Sequence, residues 1–199
     1  MEKKERRKAS FALIRSLSPT EKASFSNAIC NRIAATGAFQ KAQTIFSYLA
    51  LPGEPNLNRL VYEHPSKRWA FPRVNEENRL AFYSGIEESD RIMGSHGILE
   101  PRAHPDRLHC PADADLILVP GVSFDRSNGT RLGRGKGHYD RYLAQCLATQ
   151  GNVPIFGICF SIQCSDLTPE EHDVPMDRIF TEVDPVEGIL SRPASIDRE

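Results

Sequence analysis

Residues 115–121 read Asp-Leu-Ile-Leu-Val-Pro-Gly, a continuous apolar run that ends at a proline and a glycine. A run without alternating polar residues predicts a strand covered on both faces, as in a parallel sheet flanked by helices. A glycine-rich segment and then a helical pattern follow it along the chain. Because ligands of such sheets bind beyond the carboxyl ends of the strands, the glycine-rich segment is a candidate site.

Helices and strands alternate along the rest of the chain. The first twenty residues predict a helix, and Ser18, Pro19 and Glu21 form the start signature of a second helix that should end at Gly37. Further strands are predicted over residues 44–50, 68–74, 80–85, 154–160 and 178–183, with a helix over 57–64 and a capped turn or short helix over 167–173. This order predicts one α/β domain with a mostly parallel sheet over residues 1–190 and a frayed tail over 191–199.

The composition is globular, with 40% hydrophobic and 26% charged residues in a chain of 199. A formal net charge of -1 gives no overall field that would favour nucleic acid or an anionic membrane, and no apolar run reaches the length of a membrane span. The basic N-terminal segment contains Glu2 and Glu5 and lacks an apolar core, so we expect no signal peptide. Five cysteines without Cys-x-x-Cys spacing predict reduced, mostly buried thiols and a cytoplasmic protein.

The segment 129–142, Gly-Thr-Arg-Leu-Gly-Arg-Gly-Lys-Gly-His-Tyr-Asp-Arg-Tyr, matches neither of two common nucleotide-binding motifs. A Walker A loop would need a glycine at Thr130 and a hydroxyl side chain at Gly137. A dinucleotide-binding fingerprint would need the spacing Gly-x-Gly-x-x-Gly, whereas the glycines here are evenly spaced by two.

The residues of this segment nevertheless favour phosphate binding. Alternating glycines let backbone N–H groups turn inward and form an anion-binding nest, and a helix beginning near His138 adds the positive end of its dipole. Arg131, Arg134 and Lys136 supply positive charge. Asp140 is either a stabiliser of the helix start or a Mg²⁺ ligand beside a triphosphate. The alternative is a flexible basic loop followed by an ordinary capping aspartate.

Residues 116–143 resemble the signature segment of the 5-formyltetrahydrofolate cyclo-ligases, also called 5,10-methenyltetrahydrofolate synthetases. The family pattern runs from an apolar strand through Pro-Gly and Phe-Asp to Arg-Leu-Gly-x-Gly-x-Gly-Tyr-Tyr-Asp, matched here by residues 120–121, 124–125 and 131–140. Lys3 and Arg7 match a Lys-x-x-x-Arg start, and residues 15–19, 71–74, 80–83, 97–101 and 169–182 match further blocks in the family's order. The resemblance covers nearly the whole chain.

This resemblance implies a three-layer α/β/α sandwich with a mixed, mainly parallel sheet. It also implies that the formyl oxygen of 5-formyltetrahydrofolate attacks the γ-phosphate of ATP, after which N10 closes the ring. The products would be 5,10-methenyltetrahydrofolate, ADP and phosphate. The implied partners are ATP with Mg²⁺ and a folate, polyglutamylated or not. We expect no nucleic acid or membrane partner, and a monomer, with a homodimer as the alternative.

The family match also implies roles for individual residues. The predicted ATP site consists of Lys3, Arg7, Gly133, Arg134, Gly135, Lys136, Gly137, Tyr139 and Asp140, with Arg131, Arg134 and Lys136 as the catalytic cations. The predicted folate site consists of Tyr48, Glu54, His138 and Tyr139, and the predicted Mg²⁺ ligands are Asp140 and, second, Asp177. Trp69 belongs either to the core or to the folate slot, and Glu100 is either structural or functional. Without the family match, Lys3 and Arg7 would simply be a solvated helix start.

His138 stands where the family usually has the first of two tyrosines. A histidine can stack on a ring, but its charge changes near neutral pH, so we expect folate affinity or its pH dependence to differ. Three other functions are alternatives: a metal hydrolase built on His104, His109 and Cys110, a nucleotide-binding regulator without turnover, and nucleic-acid binding through the basic residues 3–8.

Overall fold

The computed structural model describes residues 2–85, 88–94 and 99–183, and the predicted tail over 191–199 lies outside them. Its helices are α1 (Lys3–Ser16), α2 (Pro19–Ala34), α3 (Gly37–Lys41), α4 (Asn58–Glu63) and α5 (His138–Gln150). Its strands are β1 (Thr44–Phe46), β2 (Arg68–Val74), β3 (Leu80–Ser84), β4 (Arg91–Met93), β5 (Leu99–Pro101), β6 (Leu108–His109), β7 (Leu116–Pro120), β8 (Ser123–Phe124), β9 (Arg131–Leu132), β10 (Ile155–Ile158) and β11 (Arg178–Phe180). Single 3-10 turns span Glu88–Asp90, Pro105–Arg107, Pro111–Asp113 and Ser161–Gln163.

The main sheet has seven strands in the order β11-β10-β7-β1-β2-β3-β6. The first five strands of this order run parallel to one another, while β3 and β6 pair antiparallel at one side. The pairs β4–β5 and β8–β9 form two small antiparallel ribbons beside the sheet. The prediction of a mixed, mainly parallel sheet is therefore confirmed.

Two apolar clusters lie on opposite faces of the sheet. Ile45 and Leu118 pack with α2, α3 and α4 on one face, whereas Phe46 and Ile117 pack with α5 on the other. Neighbouring strand residues point to opposite faces, so the unbroken run Leu-Ile-Leu-Val of β7 supplies both clusters. Helices cover both faces of the sheet, as the three-layer prediction requires.

The second helix begins as predicted and ends earlier. The Ser18 hydroxyl accepts the Glu21 N–H at 3.2 Å, while the Glu21 carboxylate accepts the Ser18 N–H at 2.8 Å, which completes a capping box. The helix ends at Ala34, and the Thr36 hydroxyl accepts the Phe39 N–H at 3.2 Å. Gly37 therefore begins α3 and does not terminate α2, because a threonine cap starts a new helix directly before it.

The first strand also ends earlier than predicted. It was predicted over 44–50, but β1 ends at Phe46, and the chain then forms a loop in which the Tyr48 hydroxyl donates to the carbonyl of Pro55 at 2.7 Å. Residues 167–173 contain a turn and no helix, which is the first of the two predicted alternatives. None of the helices in the ranges given above is long and apolar enough to cross a bilayer.

Candidate active site

A cleft of about 1160 Å³ opens at the carboxyl ends of the parallel strands. The residues that line it follow β1, end β2 and β7, begin α5, and come from α1 and the β4–β5 ribbon. The glycine-rich segment forms one wall, as its position after the apolar strand β7 predicted. Every predicted site residue except Asp177 lines this cleft.

The glycine-rich wall combines unusual backbone geometry with a helix start. Gly135 and Gly137 have φ values of +102° and +62°, conformations that residues with a Cβ rarely adopt. Gly137 is also the residue that precedes α5, and no side chain caps this helix start. Since the first N–H groups of an α-helix have no acceptor within the helix, the start of α5 offers free donors to an anion in the cleft.

A buried ion pair lies at the base of this wall. Arg131 of β9 is 8% exposed, and its Nη2 donates to both carboxylate oxygens of Asp140 in the first turn of α5, at 3.0 and 2.9 Å. Gly133 permits this arrangement, because a Cβ there would lie 2.7 Å from Nη1 of Arg131. The pair fixes the glycine-rich segment to the start of α5 and holds a guanidinium at the base of the cleft.

Two buried donors in this region have no hydrogen-bond partner within the described residues. They are Nε of Arg131 and the hydroxyl of Tyr139, whose ring lies 5.4 Å from the guanidinium carbon of Arg131. Burial raises the pKa of Tyr139 well above its usual range, so its hydroxyl stays protonated and can donate. Buried donors are normally satisfied, and both of these residues line the cleft, so a ligand acceptor is the natural partner.

A second ion pair joins Arg134 of the predicted phosphate site to Glu54 of the predicted folate site. The Glu54 carboxylate accepts the Leu51 N–H at 3.0 Å and Nη2 of Arg134 at 3.1 Å. Glu54 is largely buried, whereas Arg134 is half exposed and lies 5.5 Å from the ring of Phe11. Arg134 can therefore exchange Glu54 for a ligand anion by a side-chain movement alone.

The first helix reaches the cleft through its basic residues. Nε of Arg7 donates to the carbonyl of Gly133 at 2.8 Å, and Nζ of Lys3 lies 2.7 Å from the Glu170 carboxylate. Arg7 thus holds the glycine-rich backbone in place, a contact that the sequence pattern did not indicate. Both cations line the cleft as expected, whereas the side chains of a solvated basic helix start would point only into solvent.

Lys136 differs from the other cations of the cleft. Its side chain is exposed, and among the described residues it has neither an ion-pair nor a hydrogen-bond partner. Its carbonyl accepts Nη1 of Arg141 at 3.1 Å. An unengaged ammonium beside a nest of glycines is available to a phosphate.

Three of the uncertain residues are placed by the structure. Trp69 is buried in the core at 1% exposure and its indole N–H donates to the His64 carbonyl, so it does not form the folate slot. Asp177 accepts the Ile155 N–H at 2.7 Å, at the start of β10 and therefore at the edge of the sheet opposite the cleft. That position does not bring Asp177 near Asp140. Tyr48 lines the cleft, although its hydroxyl is already bound to Pro55.

The sequence pattern missed the β4–β5 ribbon, which covers one side of the cleft. Met93 and Leu99 line the cleft with 66% and 42% of their surfaces exposed. Arg73 of β2 anchors the ribbon by donating to the Pro101 carbonyl at 3.0 Å and by lying 3.8 Å from the Glu100 carboxylate. Strands of three residues are too short to show a periodic pattern in the sequence. The contact with Arg73 that fixes the ribbon joins distant residues, so the sequence did not indicate it either.

The backbone at Gly135 can be tested by substitution. Gly135→Ala should destabilise the fold by about 1–2 kcal/mol, the usual cost of a left-handed backbone with a Cβ, and should weaken ATP binding. The Cβ would also lie 3.4 Å from the guanidinium of Arg7. Urea unfolding and nucleotide titration would measure both effects. Gly37→Ala is the matched control, because a Cβ there meets no atom within 4 Å; equal losses in the two variants would contradict the prediction.

His138 lies at the cleft with a perturbed titration. Its Nε2 is 3.0 Å from Oδ1 of Asn78, and burial, followed by the charges of Arg141 and Lys136, lowers the pKa of the imidazole from its ordinary value. The lowered pKa favours the neutral imidazole near neutral pH, the form that can stack on an uncharged ring.

We expect the pH titration of His138 to be displaced and coupled to stability. Followed by NMR, with His138→Gln to assign the signal, its midpoint should lie below 6.5. The unfolded chain therefore binds a proton at this histidine more tightly than the folded chain does. The stability that the neutral imidazole contributes is complete above the unfolded pKa of about 6.5 and is lost as pH falls from there through the lower pKa of the folded state. Lys136→Ala should raise the midpoint. A wild-type midpoint at or above the ordinary value would contradict the described surroundings.

Several carboxylates line the cleft, among them Glu54, Glu170 and the predicted Mg²⁺ ligand Asp140. Asp140 is the one predicted ligand that lies in the cleft, and Mg²⁺ commonly uses one or two carboxylates together with substrate phosphates. No group of three His, Cys, Asp or Glu side chains within the described ranges could hold a metal by itself. His109 instead lies 2.6 Å from the Ser84 hydroxyl, so the metal-hydrolase alternative has no site in this part of the chain.

Comparison with known proteins identifies the family of the chain. The model of the 5-formyltetrahydrofolate cyclo-ligase family matches residues 1–182. A mouse 5-formyltetrahydrofolate cyclo-ligase is 27% identical over 188 residues, which cover 86% of this chain and 89% of the mouse protein. The solved 5,10-methenyltetrahydrofolate synthetases of Aquifex aeolicus and Mycoplasma pneumoniae superpose with TM-scores of 0.79 and 0.72 at 29% and 25% identity, covering 100% and 92% of this chain and all of theirs. The chain therefore belongs to the 5-formyltetrahydrofolate cyclo-ligase family.

Proposed function

We propose that the cleft converts 5-formyltetrahydrofolate to 5,10-methenyltetrahydrofolate at the expense of ATP, with release of ADP and phosphate. The observation that carries this proposal is the buried Arg131–Asp140 pair with its two unpartnered donors, Arg131 Nε and the Tyr139 hydroxyl. Such donors can be aimed at charge that develops during phosphoryl transfer, where pre-positioned groups are most effective. Family membership supplies the substrate class.

The phosphates of ATP lie against the glycine-rich wall in this proposal. Backbone N–H groups at Gly135, Gly137 and the start of α5 bind the phosphate oxygens, and Lys136 adds a mobile charge. Arg134 leaves Glu54 to join them, since its guanidinium is half exposed. Lys3 makes a similar exchange with Glu170 from the side of α1.

Asp140 is the proposed ligand of Mg²⁺. When bound, the ion would neutralise charge on the triphosphate and orient it for transfer. Both oxygens of Asp140 accept from Arg131, so the carboxylate is held in one orientation and keeps lone pairs free for a further partner. Arg131 remains the group that offsets charge on the transferring phosphoryl group.

The folate lies beside the phosphates in the same cleft. We place the pteridine against the start of α5, where it contacts His138 and Tyr139, with Glu54 as a fixed acceptor for a ring N–H and the apolar side chains of Met93 and Leu99 along the ribbon. Pockets of this type combine apolar walls with a few fixed polar groups. The formyl oxygen must then meet the γ-phosphate in line, because an amide oxygen is a weak nucleophile and depends on positioning.

The reaction proceeds in two transfers at this site. The formyl oxygen forms a bond to the γ-phosphorus as the bond to the ADP oxygen breaks, and Arg131 and Lys136 stabilise the charge on the phosphoryl oxygens. N10 then attacks the activated formyl carbon, the C–O bond breaks, and phosphate leaves together with the proton that N10 loses. The Tyr139 hydroxyl, kept protonated by burial, can donate to the oxygen that carries the phosphoryl group.

Incubation of the purified chain with 5-formyltetrahydrofolate, ATP and Mg²⁺ tests the proposal. We expect ATP-dependent growth of the methenyltetrahydrofolate absorbance in the near ultraviolet, with ADP formed in equal amount. Nucleotide and folate binding without product would instead support a non-catalytic regulator of the same fold. Omission of ATP from an otherwise complete mixture is the control for uncatalysed ring closure.

A further inference from the structure

Two cysteines outside the cleft lie close together. Cys159 follows β10 directly and Cys164 follows the 3-10 turn Ser161–Gln163, and their Sγ atoms are 4.0 Å apart. The S–S bond of a disulfide is about 2.05 Å long, so the two sulfurs need to approach by only a small movement. Neither residue lines the cleft, and neither has a role in the proposed reaction.

The two thiols differ in their access to solvent. Cys159 is 0% exposed and packs in the apolar cluster that also contains Phe124 and Met176. Cys164 is partly exposed and packs against the same cluster. One sulfur can therefore meet a small reagent from solvent, while the other is held directly beneath it.

Charged groups around Cys164 favour its thiolate. A hydrogen bond from Cys159 and then the Arg126 guanidinium lower the pKa of Cys164, against the effects of burial and the Glu182 carboxylate, while burial raises the pKa of Cys159. Arg126 is held there by donating to the Thr181 hydroxyl at 2.5 Å. Low-pKa, reachable thiols beside a second cysteine are the ones that react with oxidants.

The other three cysteines lack this combination. Burial raises the pKa of Cys30 to about 11 and that of Cys146 to about 12. Cys110 is exposed, but its Sγ donates to the Asp113 carboxylate at 3.1 Å, a negative neighbour. Cys164 is thus distinguished by its surroundings as well as by its neighbour.

We propose that Cys164 and Cys159 form a reversible intramolecular disulfide when the protein meets hydrogen peroxide. The Cys164 thiolate attacks one peroxide oxygen, the S–O bond forms, the O–O bond breaks, and the departing hydroxide takes a proton to become water. The Cys159 sulfur then attacks the Cys164 sulfur, the S–S bond forms, and the S–O bond breaks with the Cys159 proton leaving in a second water. Two thiols are oxidised and one peroxide is reduced.

The movement is expected in the segment around Cys164. Cys159 is fixed by the strand before it and by its apolar contacts, whereas Cys164 lies in a connection whose backbone pairs with Phe124 only as an isolated bridge. The Gln163 side chain ties this connection to the carbonyls of Gly121 and Val122 at 3.0 Å each. These bonds hold the connection in its reduced position, in which the two sulfurs are 4.0 Å apart, and a thiol reductant returns the segment to that position.

Peroxide treatment of the full chain tests this proposal directly. The thiol count after unfolding should fall from the five free cysteines to three, and return with dithiothreitol. Chymotrypsin cuts after Phe160, between the two cysteines, so mass spectrometry should find the two fragments joined only in the oxidised sample. An unchanged thiol count, or a bond that joins other cysteines, would overturn the proposal.

Variants assign the two sulfurs. Cys164→Ser should stop the loss of thiols, and Cys159→Ser should leave a sulfenic acid on Cys164 that dimedone traps. Cys159→Ala gives a second test if the buried serine disturbs folding, which circular dichroism would reveal. Cys110→Ser is the matched control and should still lose two thiols. Dimedone labelling of Cys110 ahead of Cys164 would contradict the assigned reactivity.

Discussion

Lys136→Ala should lower kcat about 100- to 1000-fold, the usual effect of removing one group that stabilises charge in the transition state. KM for the folate should change by less than about threefold, because the lysine interacts with phosphate. Its removal destabilises the transition state, in which charge develops on the phosphoryl group, and leaves folate binding unchanged. The side chain is exposed and has no described partner, so the variant should fold normally. Steady-state rates at varied folate and varied ATP measure these terms separately.

Lys22→Ala is the matched control for this prediction. Lys22 is partly exposed on α2 and lies outside the cleft, so the change in net charge is the same while the phosphate contact is untouched. We expect wild-type kinetics from it. An effect of Lys136→Ala confined to folate KM would mean that the lysine binds folate and not phosphate. Similar losses in both variants would indicate a general electrostatic effect.

The fold was predictable because its strongest signals are local. The apolar run of β7 and the capping box at Ser18 and Glu21 each depend on a few neighbouring residues, and both are found where expected. The short ribbons β4–β5 and β8–β9 could not be predicted, since two or three residues carry no periodicity and their pairing depends on distant partners such as Arg73.

The site was predictable at its glycines and less so at its charges. The helix start near His138 follows from the glycine-rich spacing before it, whereas the positive φ values of Gly135 and Gly137 do not, because the equally spaced Gly133 has none. Which carboxylate each cation meets does not follow from spacing, because the Arg134–Glu54 contact joins residues 80 positions apart. Asp177 shows the same limit, since its place at the start of β10 is set by the order of strands in the sheet.

Variants of the Arg131–Asp140 pair should distinguish its contribution to stability from its contribution to turnover. Arg131→Met and Asp140→Leu should each lower the free energy of unfolding by about 3 kcal/mol, because removal of one partner leaves the other charge poorly solvated. The guanidinium side chain is only 5% exposed and the carboxylate 21%, so water compensates little for the lost partner. The double variant should regain most of this stability, since an apolar pair of similar size often replaces a buried ion pair without loss.

Turnover should follow a different pattern in the same three variants. All of them should lose at least about 1000-fold in kcat/KM, an estimate scaled from the loss of single transition-state donors, because the double variant restores packing without restoring the guanidinium or the carboxylate. Urea unfolding and the ring-closure assay on the same preparations give the comparison. Single variants as stable as the wild type would show that the pair does not hold the glycine-rich segment to α5. A stable double variant with normal turnover would remove both residues from the chemistry and leave Lys136 and Arg134 as the phosphate-binding cations.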